Sequence, residues 1–121
     1  MKLVIQESGQ LVGYRIAEAY SFLRRFRGLM LTNALSEGHG LHIRPCRAVH
    51  SFFMKYSIDV LHLDPAGRIV GMEKQLKPGN LGTTFRGTHS IVELPAGTLE
   101  QAEVQIGQTA MFVNDERHPT N

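Results

Sequence analysis

Residue types that bind metals or attack carbonyls crowd into one short stretch: His39, His42, Cys46 and His50, spaced H-x2-H-x3-C-x3-H. Imidazole nitrogen and thiolate sulfur are the ligands zinc prefers, and four of them would close a tetrahedral site. The spacing matches no common zinc module, however, and Pro45 together with strand alternation would scatter these side chains over two faces. No metal and no cofactor is therefore expected. A nucleophilic Cys46 would need a base within hydrogen-bond reach and a lowered pKa. His42 or His50 could be that base, and Arg44 and Arg47 would favour the thiolate. No nucleophile signature surrounds Cys46, which reads instead as a small buried hydrophobe.

Two carboxylates are more informative, because each stands where a strand pattern expects apolar neighbours. In Ile58-Asp59-Val60-Leu61-His62-Leu63, Asp59 shares a face with Leu61 and Leu63; in Ile91-Val92-Glu93-Leu94, Glu93 shares a face with Ile91. Burial without a partner favours the neutral acid. Pairing with His50, Arg25 or a backbone amide removes that cost. A structural clasp is the favoured account, and a ligand or acid-base site is the alternative. The run His50-Ser51-Phe52-Phe53-Met54 offers apolar contact on both faces of a strand, so core packing competes there with a cleft that presents His50 and Met54. The cationic knot Arg24-Arg25-Phe26-Arg27 could meet phosphate, but its brevity and single aromatic fit a solvated helix face better.

The elements that must position these groups are short and punctuated by Gly and Pro. Residues 2–6 and 11–19 read as a hairpin turned at Ser8-Gly9-Gln10, with Val12, Tyr14 and Ile16 alternating in the second strand. Ser21 stands as an N-cap before a helical turn over 22–27, and Gly28 can end it. Strands are expected at 41–43, stopped by Pro45, and at 47–54 and 58–64. Asp64-Pro65-Ala66-Gly67 is the clearest turn, joining 58–63 to 68–72. Residues 77–88 carry three glycines and Pro78, and form the longest and most mobile expected loop. A strand at 90–94 precedes Thr98-Leu99-Glu100-Gln101, which fits a capping box. A last strand spans 109–113. This pattern predicts an α+β fold, mostly antiparallel β, with a small, partly closed, barrel-like sheet and two short helices. Residues 1–113 are expected to form a single β-rich domain and 114–121 a flexible tail.

Composition agrees with that scale. A chain of 121 residues with 42% hydrophobic and 20% charged side chains can build one core without a disulfide or metal staple, and one cysteine permits no intrachain disulfide. Thirteen basic against eleven acidic residues give a net charge of +2, divided unevenly. Residues 1–60 hold eight basic and four acidic side chains, and 61–121 hold five and seven. The N-terminus lacks the apolar core of a signal peptide, and no run is long enough for a membrane span. The expectation is a soluble, cytoplasmic protein, unless a leader peptide has been removed, acting as a monomer or weak dimer.

Three blocks carry a likeness. Arg25-Phe26-Arg27-Gly28-Leu29-Met30, then His50-Ser51-Phe52-Phe53-Met54 with Ile58-Asp59 and Leu63-Asp64, and finally Val92-Glu93-Leu94-Pro95-Ala96-Gly97 resemble, in order and spacing, the signature blocks of the domain of unknown function 192 family. Phe53 stands where many members have Trp, and Gln108 where the family usually shows Asp. The resemblance implies a small β-rich domain, found mostly in bacteria and archaea, and no established reaction. The matched polar positions are Arg25, His50, Asp59 and Glu93. With Met54 they form the candidate ligand-binding set. Arg25 paired with a buried carboxylate would order the Gly28-Leu29-Met30 turn. The favoured function is a non-catalytic binding or accessory protein that holds a small molecule or peptide in a β-rich cleft. One alternative is an enzyme drawing acid-base chemistry from Asp59, Glu93 and His50. Another is an accessory protein that meets an acidic partner or RNA through its basic first half, a nucleic-acid role being the less favoured.

Overall fold

The structure is a computed structural model that describes residues 1–19, 35–51 and 54–114. In chain order its strands are β1 (Lys2–Ile5), β2 (Leu11–Gly13), β3 (Arg15–Ala19), β4 (His39–Ile43), β5 (Ile58–Leu63), β6 (Ile69–Leu76), β7 (Ser90–Pro95) and β8 (Ala110–Val113). A single short helix among the described residues, α1 (Thr98–Gln101), follows β7. The strands form two sheets: three strands in the order β2-β1-β8, and five in the order β3-β4-β7-β5-β6.

Sequence and structure part company first at 11–19. The expected continuous strand breaks at Tyr14: residues 11–13 pair antiparallel with β1, and residues 15–19 leave for the other sheet, where they run parallel to β4. The large sheet is consequently mixed, with β3–β4 its one parallel pair, while the small sheet is antiparallel and the described strands are mostly antiparallel, as expected. The sheets stay separate, with no closed barrel. The expected helix over 22–27 lies outside the described residues, and the described residues are β-rich with α1 as their one helix.

The two sheets face each other over an inner core. Leu3, Ile5 and Val12 from the small sheet meet Ile16, Leu61, Leu63, Ile69, Val92 and Leu94 from the large one, and Leu99 of α1 joins them. A second cluster lies on the far face of the large sheet, where Leu41, Ile43, Ile58, Val60, Leu76 and Ile91 gather with Ala19 and Cys46. That far face is covered by irregular chain: Val49, Met54 and Tyr56 pack against it. With cover on both sides, every residue of β5 is buried. This explains why 58–63 reads as an apolar run rather than as alternation.

The hairpin of β5 and β6 forms where the sequence places it, although β6 runs to Leu76 rather than stopping at 72. The Asp64 carboxylate accepts the N–H groups of Ala66 and Arg68, each at 2.9 Å, and Gly67 takes φ +88°, the left-handed corner that suits glycine.

Candidate functional site

Asp59 sits on β5 with no solvent exposure. One oxygen accepts the N–H of Gln75 at 2.9 Å; the other accepts those of Gly97 at 3.1 Å and Leu99 at 2.9 Å. The first bond depends on a register break, because Ile58 opposes Leu76 but Val60 opposes Glu73. Two residues of β6 therefore face one of β5, and Gln75, at φ +56°, turns its N–H toward the carboxylate. The other two bonds satisfy amides at the start of α1, which would otherwise lack acceptors. The expected capping box is absent: Gly97 is the N-cap, with no side-chain cap bond, and the distant Asp59 takes over the work assigned to Thr98.

Glu93 lies on the neighbouring strand and faces the other way. It pairs with Leu41 on one side and Val60 on the other, whereas Asp59 pairs with Leu94. Directly paired residues share a face and successive residues alternate, so the two carboxylates project from opposite sides of the large sheet. Asp59 points toward the small sheet. Glu93, 4% exposed, points under the irregular cover.

Within that cover, the described residues of 47–54 do not form the expected strand. His50 forms an isolated bridge to Leu81, and Met54 packs on the far-face cluster that includes Leu41 and Val60, the pairing partners of Glu93. Met54 and Glu93 thus share a side of the sheet, and Asp59 is excluded from it. Arg25 and the pair 52–53 lie outside the described residues. The pin of this region is Ser51, which is fully buried: its hydroxyl donates to the Lys77 carbonyl and accepts the Asn80 N–H at 3.0 Å. A small polar residue amid His50, Phe52, Phe53 and Met54 was the available signal for it.

The cover continues over residues 77–89, which take in the loop expected to be most mobile, 77–88. Several bonds hold it. Glu73 accepts the Thr83 N–H at 2.6 Å and its hydroxyl at 3.1 Å, the Gly82 N–H donates to the Val49 carbonyl at 2.9 Å, and the His89 N–H to Leu63 at 2.7 Å. Beneath it His62, fully buried, donates from Nδ1 to the Thr88 hydroxyl at 2.9 Å; that hydroxyl donates in turn to the Phe85 carbonyl at 3.0 Å. The chain of donors fixes the Nδ1–H tautomer and leaves Nε2 buried without a hydrogen-bond partner. Burial pushes the imidazole down to about 4 from its ordinary 6.5, against a small opposing pull from Glu73. Phe85 meets this ring edge-on at 4.5 Å and rests over Gly71, where a Cβ would approach its ring to 2.2 Å. His62 was missed in the sequence, though a lone imidazole in a six-residue apolar strand was the mark of it.

The four candidate metal ligands disperse. His42 lies on the inner side, stacked on Phe112 at 4.2 Å, with Nδ1 donating to Glu18 at 3.0 Å. Burial lowers its pKa against the pull of that carboxylate. Cys46 belongs to the far-face cluster and donates to the Ala48 carbonyl at 3.2 Å, while His39 Nδ1 lies 3.2 Å from the Glu37 carbonyl. No group of three or more His, Cys, Asp or Glu gathers among the described residues in an arrangement that could hold a metal. No helix of the described residues is long and apolar enough to cross a membrane.

A family model described as an uncharacterized ACR, DUF192, matches residues 3–112. The chain belongs to this family. Among DUF192 relatives, a UPF0127 protein of Thermococcus kodakarensis is 34% identical over 112 residues, covering 87% of this chain and 69% of its own. One of Thermococcus sibiricus is 32% identical over 110 residues, covering 87% and 70%. The fold resembles that of a crystallised protein of unknown function from Novosphingobium aromaticivorans, with TM-score 0.77 and 15% identity over 93% of this chain and 84% of that one. It also resembles a crystallised putative transcription regulator from Sinorhizobium meliloti, with TM-score 0.76 and 19% identity over 91% and 89%. In this DUF192 chain two of the blocks that carry the likeness meet at one point, since Asp59 of the second receives the Gly97 amide that ends the third. Gln108 accepts the Gln105 N–H at 2.8 Å through its side-chain oxygen.

Proposed function

We propose that the protein is a non-catalytic binding or accessory module that holds a small molecule or short peptide on the loop-covered face of its large sheet. Glu93, His50, Met54 and Arg25 engage the ligand, and Asp59, from the opposite side, fixes the strands beneath it. The observation that carries this reading is the seat of Glu93: a carboxylate between Leu41 and Val60, 4% exposed, on a face closed by irregular chain rather than by a second sheet. In surroundings of low polarity the carboxylate attracts a cation or donor more strongly than it would in water. Acid-base catalysis by Asp59, Glu93 and His50 together is the weaker reading. It needs both carboxylates on one side of the sheet, and the strand register gives them opposite sides.

A thermal-shift screen of metabolites and short peptides tests the proposal on the wild type beside His50→Ala and Glu93→Gln. A compound that binds the folded state raises the midpoint. The expected result is a set of compounds whose shift in the wild type disappears in both variants. Equal shifts in all three proteins, or no shift in the wild type across the library, would overturn the proposal.

A further inference from the structure

A concavity lies at the end of the large sheet where β4 and β5 finish and β7 begins. It is an open cleft of about 680 Å³, lined by Pro45, Arg47, Pro65, Phe85, Arg86 and His89 among others. That volume falls in the range of small-molecule sites, roughly 300–1,000 Å³. One residue assembles it. The His89 carbonyl accepts the Cys46 N–H at 2.9 Å, and the His89 N–H donates to the Leu63 carbonyl at 2.7 Å. This brings the segment after β4, the turn after β5 and residues 85–89 side by side. Arg47 and Arg86, from the basic and the acidic halves of the sequence, come to line one cleft.

The charge there is unbalanced. None of the described lining residues is acidic. Glu18 holds Arg44 at 3.3 Å and His42 at 3.0 Å, and Asp64, next to Pro65 in the chain, is bonded into its own turn. Neither Arg47 nor Arg86 forms an ion pair or side-chain hydrogen bond with a described residue, whereas Arg44, three positions before Arg47, does. Beside these guanidinium groups stands an apolar wall of Phe85, Pro45 and Pro65. The Phe85 ring is set in place by the missing side chain of Gly71 and by the His62 edge.

We propose that this cleft binds a small organic phosphate ester. Arg47 and Arg86 clamp the phosphate, and the organic part lies against Phe85 between the two prolines. Guanidinium forks match the oxygens of a phosphate, and charge-assisted bonds of this kind are the strong ones. Phe85 adds a preference for a ring over a bare anion. The site is independent of the Glu93 reading, since Glu93 does not line it.

The test is a titration of isotope-labelled full chain with phenyl phosphate, inorganic phosphate and a short single-stranded oligonucleotide, followed by amide chemical shifts. Saturable changes at Arg86, Gly87, Thr88 and His89 are expected with phenyl phosphate, with weaker binding of inorganic phosphate. Loss of one charge-assisted contact in Arg86→Ala should weaken phenyl phosphate by about tenfold or more. Arg47→Ala with Arg86→Ala should abolish it while the denaturation midpoint stays put, and Glu93→Gln should leave it unchanged. Unaltered affinity in the double variant, shifts confined to other residues, or no saturable change at millimolar ligand would overturn the proposal. So would an oligonucleotide that binds more tightly, with the steep salt dependence of several phosphate contacts.

Discussion

His62 makes the protein's stability depend on pH in a definite direction. Its imidazole is held near 4 when folded and returns to about 6.5 when unfolded, so between these values the unfolded chain binds a proton that the native state refuses. Stability from this group is complete above pH 6.5 and is lost as pH falls toward 4, a change on the order of 3 kcal/mol. Chemical denaturation at several pH values should show the midpoint falling through that window, and His62→Phe should flatten the slope. His42, lowered in the same direction, adds to the wild-type effect and is common to both proteins. Asp59 poses the complementary case. Asp59→Asn must turn an amide donor toward either Gln75 or the Gly97 and Leu99 pair, leaving backbone N–H groups without an acceptor. A loss of roughly 2–5 kcal/mol is expected in urea denaturation. Asp59 and Glu93 were legible in the sequence because charges inside apolar runs stand out. The partners of Asp59 were not, because they are backbone amides, which every residue but proline carries and no side-chain pattern reveals.

At the scale of elements, the hairpin of β5 and β6 was legible because Asp64, Pro65 and Gly67 each have a local reason to make that turn. The segments that failed are those whose conformation is settled at a distance. Residues 11–19 alternate well enough for one strand, yet pairing with both β1 and β4 divides them. Residues 47–54 have the composition of a strand, yet the described ones among them lie over the far face of the large sheet instead of joining it. The 77–89 segment looked loose because its glycines are visible, whereas its ties to Ser51, Glu73, Val49 and Leu63 come from other elements. This segment and β6 are coupled through one close approach. Gly71→Ala would drive a methyl group into the Phe85 ring and should cost about 1–3 kcal/mol by displacing the ring. On a Phe85→Ala background the same substitution should cost far less, and a double-mutant cycle on denaturation midpoints measures the difference.

At the scale of the molecule, the small sheet ties the first described strand to the last. β1 is the middle strand of the small sheet, flanked by β2 and by β8, with Lys2 opposite Val113 and Ile5 opposite Ala110. Glu7 reinforces the closure by accepting the N–H and hydroxyl of Thr109 at 2.8 and 2.9 Å. Ending the chain at Gln108 would strip one side of β1 and remove the Phe112 ring from His42. Such a truncation should lose its cooperative thermal transition in circular dichroism, and a peptide spanning 109–114 added in excess should restore it in part.

That closure also orders events during synthesis. A chain is made from its N-terminus at about 5–20 residues per second, so β1 waits on the order of 5–20 s for β8 to be made. Until then the small sheet is a two-stranded ribbon with one bare edge, and the inner core has no complete lid. The fold cannot be finished piecemeal as the ribosome advances. It forms only after β8 has left the exit tunnel, and until then the edge of β1 is open to strands of neighbouring chains.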